Sequence, residues 1–225
     1  MKRWICLSVL ILSGVFFRKQ DTAGRKSLFM PVNRSVLDVA QKRKDWNGLI
    51  SGFKASDLVF LDESGCNTDM TRRYAYSLGG SRAVDSTPLS KPKNTTILSS
   101  IQLDGTLRYT TFSGGTTVER FKRYLETDLL PHLNGNSVLI MDNMKSHHAK
   151  AVKNLLDSSG IRYIYLPPYS PDLNPIEKLW SKVKAFLRKF KARTLDALPN
   201  AIQNAFHSVT ISDCSGWFRF CGYAL

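Results

Sequence analysis

The 225-residue chain predicts an α/β fold built on one mixed sheet of about five strands, and three observations predict it. Strand signals separated by turn residues fill positions 57–112. From position 116 the pattern changes to alternating helix and strand. Two apolar runs, Leu58-Val59-Phe60-Leu61-Asp62 and Val138-Leu139-Ile140-Met141-Asp142, read as strands buried on both faces, and each ends in an aspartate.

The elements follow in order. Residues 18–34 are basic and polar, with Gly24 and Pro31 as breakers, and read as a linker. From Ser35 a helical pattern places Val36, Val39, Ala40 and Trp46 near one face, with Gly48 after the helix. Strands are expected at Asp57–Glu63, Arg73–Leu78, Thr95–Leu103 and Leu107–Phe112, as an antiparallel meander. Asp104-Gly105 marks the hairpin between the last two, while Gly79-Gly80 and the basic loop around Lys91 separate the earlier ones.

Thr116-Thr117-Val118-Glu119 has capping-box spacing and opens a helix carrying Val118, Phe121, Leu125 and Leu129, which Pro131 stops. A strand follows at Val138–Asp142. Ser146 is a candidate cap for a helix with Ala149, Val152, Leu155 and Leu156, ended by Gly160. Arg162–Leu166 is the next strand, closed by Pro167-Pro168. The loop from Tyr169 leads to a last helix with Pro175 at its first position.

A strand–helix–strand–helix tail requires parallel strands, because a crossover helix returns the chain in the same direction. Three antiparallel strands followed by that βαβα tail, with helices against the sheet faces, form the ribonuclease H-like arrangement.

An apolar fraction of 43% supports a real core, and a formal charge of +14 favours a polyanionic partner, nucleic acid before membrane. A ribosome-associated or merely basic protein is the plainer explanation of the charge. The four cysteines show neither CxxC pairing nor disulfide-dense spacing, and read as free thiols of a reducing compartment. With the four histidines they form no zinc pattern.

Lys2 and Arg3 precede an apolar run from Trp4 to Phe17, followed by Arg18 and Lys19. That resembles a signal peptide without an adjacent cleavage site, and is too short for a standard membrane span. A signal, a core segment and a frame-shifted start all fit it. Residues 1–31 are therefore an unassigned N-terminal segment and linker, and 32–225 a single folded domain.

Open α/β sheets place ligand sites beyond the carboxyl ends of their strands. If the strands ending in Asp62 and Asp142 are parallel neighbours, their carboxylates lie about one strand spacing, roughly 5 Å, apart. Two acids that close repel unless a cation sits between them, and hard oxygen ligands favour Mg²⁺ or Mn²⁺ over zinc. Glu177 is the third acid. Asn174 and Glu177 have capping-box spacing, which explains a glutamate there without any function. The apolar stripe Ile176, Leu179, Trp180, Val183, Leu187 and Phe190 nevertheless places Glu177 on its flank, able to lean towards a strand end. Lys178, Lys182, Arg188 and Lys189 lie on the outer surface, as solvated charge or as contacts to a phosphate backbone.

The strings Leu61-Asp62-Glu63-Ser64-Gly65, Met141-Asp142-Asn143 with His147, and Leu166 through Glu177 resemble the catalytic domain of mariner-type DDE transposases, in the bacterial insertion-sequence branch. The 34 residues at positions 143–176, between the second and third acids, match the interval of that branch. The ending Ile211–Tyr223 also resembles the family, so the resemblance covers about residues 32–223.

The resemblance implies a ribonuclease H-like fold in which Asp62, Asp142 and Glu177 are catalytic and bind two Mg²⁺ or Mn²⁺ ions. DNA is cleaved and joined by in-line displacement at phosphorus, without a covalent enzyme intermediate. Glu63 would face away, and Asn143, Lys145 and His147 would orient phosphates, His147 alternatively starting a helix. Transposon-end and target DNA are the implied partners, with a homodimer on the DNA and a cytoplasmic, non-membrane location. Family members carry helix-turn-helix modules before this domain. A separate helix-turn-helix protein from an upstream frame is therefore a candidate partner, and a truncated remnant that only binds DNA is the alternative reading.

Overall fold

The structure is a computed structural model, and it describes residues 37–72, 77–79, 81–86 and 92–223. All but residues 1–31 of the chain form one compact unit, Val32–Leu225. The expected N-terminal segment and most of the expected strand Arg73–Leu78 lie outside the described residues, and Ser77 and Leu78 are not in a strand.

Successive side chains of a strand point to opposite faces, so an unbroken apolar run needs cover on both. β1 (Leu58–Cys66) and β4 (Val138–Met141) have that cover. Leu58, Phe60, Val138 and Ile140 belong to one buried cluster, and Val59, Leu61, Leu139 and Met141 to another. With β2 (Thr95–Ile101), β3 (Leu107–Ser113) and β5 (Arg162–Tyr165), the described residues form one five-stranded sheet in the order β3-β2-β1-β4-β5. β1 and β2, and β2 and β3, pair antiparallel; β1 and β4, and β4 and β5, pair parallel. The ribonuclease H-like fold is thus realised in its mixed form.

The first cluster is completed by α1 (Leu37–Ile50), α4 (Ile176–Phe190), α5 (Ala197–His207) and α6 (Ile211–Phe220), through residues such as Trp46, Leu179, Ile202 and Phe218. The second is completed by α2 (Val118–Tyr124) and α3 (Lys150–Ser159), through Phe121, Val152 and Leu156. Cys66, Cys214 and Cys221 are buried free thiols. Among the described residues, no helix is long and apolar enough to cross a membrane.

Several local expectations change. Gly48 lies inside α1, not after it, and Ala40 is exposed while Val39 and Trp46 are buried. The cap of α2 is Thr117, whose hydroxyl accepts from the Arg120 N–H, so the capping-box partner Thr116 is displaced by one. The helix then widens into a π-type turn at Leu125–Leu129 before a 3-10 turn at Leu130–His132, which keeps Leu125 and Leu129 inward. Ser146 does not cap α3: its buried hydroxyl has no hydrogen-bond partner, and the cap position is Ala149. Gly160 ends α3 in the left-handed region as expected, φ 70°. Phe190, at the end of the α4 stripe, is exposed. α5 was not anticipated, because its apolar positions follow a short, polar lead-in with no strong cap.

The C-terminal helix is locked to the sheet by aromatic contacts. Phe218 meets the Phe60 ring edge-on, with centroids 5.4 Å apart, and Tyr223 packs on the same ring at 5.0 Å. Phe218→Ala is expected to lower stability by about 3–5 kcal/mol through lost contacts and the cavity left behind. Denaturant unfolding checks this, since a loss under 1 kcal/mol would mean that α6 contributes little to the core.

Candidate active site

The parallel pairing of β1 with β4 sets Leu58 against Val138 and Leu61 against Met141. One residue further in that register lie Asp62 and Asp142, at the carboxyl ends where open sheets leave a crevice. Leu166 continues the β4–β5 ladder by donating to the Met141 carbonyl at 2.8 Å, and from there the chain enters the loop that leads to α4. Asp62, Asp142 and Glu177 line one cavity of about 460 Å³, together with Asn143, Met144, Asn174 and residues 166–171.

Each carboxylate has a different setting. Asp62 accepts from the Glu63 backbone N–H at 2.7 Å and from the Trp180 indole N–H at 3.0 Å. Burial nevertheless pushes its pKa up to about 7, helped by repulsion from Glu177 and Glu63. Asp142 is also penalised by burial, but its bonds to His147 and the Met144 N–H hold its pKa below the usual range. Glu177 stands at the open side of the cavity. Its walls raise its pKa by desolvation, Lys184 opposes this, and Asp142 adds to it.

His147 links the two strand ends from beneath. Its Nδ1 lies 2.8 Å from Asp142 Oδ1 and its Nε2 3.2 Å from Glu63 Oε1, while the ring stacks on Phe121 at 4.2 Å. Burial would discharge the ring, yet the two carboxylates raise its pKa to about 9. His147 is fully buried. It does not start α3; its N–H closes a turn onto the Met144 carbonyl. Its role here is to hold Asp142.

A model of the family described as DDE superfamily endonuclease matches residues 57–199, from the lead-in of β1 into α5. The chain belongs to this family. It is similar to the Tc1 transposase of Caenorhabditis elegans, with 28% identity over 97 residues, 41% of this chain and 36% of that protein. The structure of the Mos1 transposase paired-end complex with left transposon end superposes with a TM-score of 0.72 at 18% identity, covering 93% of this chain and 66% of that one. The Mos1 mariner paired-end complex with Mn gives the same four values. The chain thus spans about a third of the Tc1 transposase and less than two thirds of the Mos1 chains' length. The Mos1 matches show a shared fold.

In this DDE-family chain the three acids of the cavity offer only oxygen donors, which favours Mg²⁺ or Mn²⁺ over zinc. Burial of Asp62 beside two further acids, without a compensating cation, is the feature that fits an ion. Among the described residues, however, no three His, Cys, Asp or Glu side chains are spaced as a finished metal site. Asp62 and Asp142 are each hydrogen-bonded to protein groups.

The capping explanation for Glu177 is not realised. The Asn174 side-chain oxygen is buried without a partner, and the Glu177 N–H goes to the Asn174 backbone carbonyl at 3.2 Å. Of the other expected contacts, Asn143 lines the cavity and donates to the Leu166 carbonyl, and Lys145 is exposed on the turn beyond it. Lys178 and Lys182 are directed at α6. Lys178 Nζ sits 3.8 Å from the Phe220 ring centroid, and Lys182 pairs with Asp213. These contacts tie α4 to α6. Trp180 and Lys184 were missed as site residues, and Glu63, expected to face away, meets His147. Trp180 reads as core from its helical spacing, and a donor to an acid 118 positions away leaves no local signal.

Asp62 makes the metal-free protein pH-sensitive. Between its unfolded value near 4 and its folded value near 7, the folded state binds more protons than the unfolded one. Its contribution is therefore fully present below pH 4 and is lost as pH rises to 7. Asp62→Asn, which cannot ionise, is expected to be more stable than the parent at pH 8 in chelator by on the order of 3 kcal/mol, and equal to it near pH 4. Unfolding curves across pH check this, and parallel curves for the two proteins would contradict it.

Proposed function

We propose that this chain is the catalytic part of an insertion-sequence transposase, which cuts DNA and joins strands by in-line displacement at phosphorus. The observation that carries the reading is the shared cavity of three acids separated by 79 and 34 intervening residues, at positions 63–141 and 143–176. Membership of the DDE endonuclease family supports the chemistry, and Mos1 complexes with Mn and with Mg support the choice of ion.

Asp62, Asp142 and Glu177 would hold two Mg²⁺ or Mn²⁺ ions, after Asp62 releases one of its two protein donors. When bound, the ions supply a lower pKa for the attacking water or DNA 3′-hydroxyl and neutralise charge at the phosphate. Trp180 and the Glu63 N–H keep Asp62 aimed at the cavity, and His147 keeps Asp142 ionised and in place. Asn143 and Lys145, beside Asp142, would orient phosphates on the way in. The Mos1 matches are paired-end complexes, which supports two copies of this chain acting on paired transposon ends.

Asp142→Asn is expected to reduce Mg²⁺-dependent cleavage on the order of a thousandfold, with DNA binding nearly unchanged. Nicking of the DNA that flanks the gene, with and without chelator, checks it. Equal cleavage by the variant, or wild-type cleavage that survives chelation, would reject the proposal.

A further inference from the structure

The acids make only part of the cavity. Apart from Asn143, Ser170 and Asn174, the rest of its lining is apolar: Leu166, Pro167, Pro168, Tyr169 and Pro171, with Met144. A phosphodiester calls for cations and N–H donors, and has no use for a ring and three prolines. A nucleobase does, because every base has a flat π-face that stacks on an aromatic side chain.

Tyr169 is held in a way that packing alone does not explain. Its φ is 55°, the left-handed region where a bulky side chain is strained and glycine is the unstrained choice. Such strain persists only when surrounding contacts over-determine it, and it gathers at functional sites. Those contacts are present. Arg43 of α1 reaches across 129 positions to grip Asp172 with both guanidinium nitrogens, at 2.7 and 3.2 Å, and also donates to Ser170 Oγ. Ser170 Oγ in turn donates to the Pro168 carbonyl at 3.1 Å. The Asn143 amide holds the Leu166 carbonyl at the start of the loop, and the Tyr223 hydroxyl holds the Leu173 carbonyl at its end. Within this tightly tied loop, the Tyr169 side chain is still 49% exposed.

We propose that Tyr169 is a stacking platform for one unpaired nucleobase beside the scissile phosphate. The carboxylate side of the cavity takes the phosphate, and the tyrosine–proline side takes the neighbouring base after it leaves the duplex. This rests on the DNA-cutting reading above, and adds that the substrate is locally opened DNA. The Arg43 grip fixes the loop that carries the ring before DNA arrives, so less ordering remains to be done on binding.

The test uses the whole chain and duplexes taken from the DNA that flanks its gene, with one abasic position moved stepwise along the cut strand. Affinity is read by anisotropy in Ca²⁺ and cleavage in Mg²⁺. Tyr169→Gly removes the ring and relieves the backbone, so it is expected to match or exceed the parent in Tm. It should bind roughly 5- to 100-fold more weakly, the range for losing one stacked base. Tyr169→Phe keeps the ring and should retain most of what Tyr169→Gly loses. At one abasic position the wild type should fall to the level of the glycine variant, with no further loss in that variant. Tyr169→Gly binding as tightly as the parent, or losing affinity additively at every abasic position, would overturn the proposal. If the wild type cuts none of these duplexes but keeps the abasic effect, the nuclease reading fails and the stacking site stands. If it cuts them with no abasic effect, the stacking site fails and the nuclease reading stands.

Discussion

The site depends on one backbone register. Parallel pairing of β1 and β4 sets Leu61 opposite Met141, so the next residues on both strands are aspartates at the same height on the sheet. A slip of one residue would turn one of them to the other face and bury its carboxylate among Phe121, Leu125 and their neighbours. The register is held by burial on both sides. Leu58, Phe60, Val138 and Ile140 serve one core, and Val59, Leu61, Leu139 and Met141 the other, so no shifted pairing keeps all eight covered.

Much of this frame was legible in the sequence, because the long apolar runs and the hairpin signal are local. The two aspartates were found by their place at the end of such runs. What the sequence did not disclose depends on contacts between distant positions. His147 looked like a residue near a helix start, and only the fold places it between Glu63 and Asp142, under the Phe121 ring. Trp180 looked like core and is also a hydrogen-bond donor to Asp62. Lys178 and Lys182 looked like solvated charge or DNA contacts, and α6 takes them. The capping motifs misled by one or a few positions at Thr116, Ser146 and Asn174, since several Ser, Thr and Asn residues near a helix start compete for one role.

The site also carries a cost that its function explains. A carboxylate with its pKa pushed to about 7 by burial works against folding at neutral pH. Buried His147 pairs with Asp142 and with Glu63, whose second oxygen has no partner of its own. Tyr169 adds backbone strain on the opposite side of the loop. Acids gathered at the ends of neighbouring strands, near an aromatic wall, are unfavourable as structure alone. They become favourable once cations offset the charge.

Anomalous scattering from crystals soaked in Mn²⁺ tests that claim most directly. The account expects Mn²⁺ density between the Asp62 and Asp142 carboxylates, with Glu177 among the ligands and the Trp180 contact to Asp62 lengthened or broken. Crystals that diffract well and show no Mn²⁺ in this cavity, or show it bound elsewhere with these three acids unmoved, would contradict it.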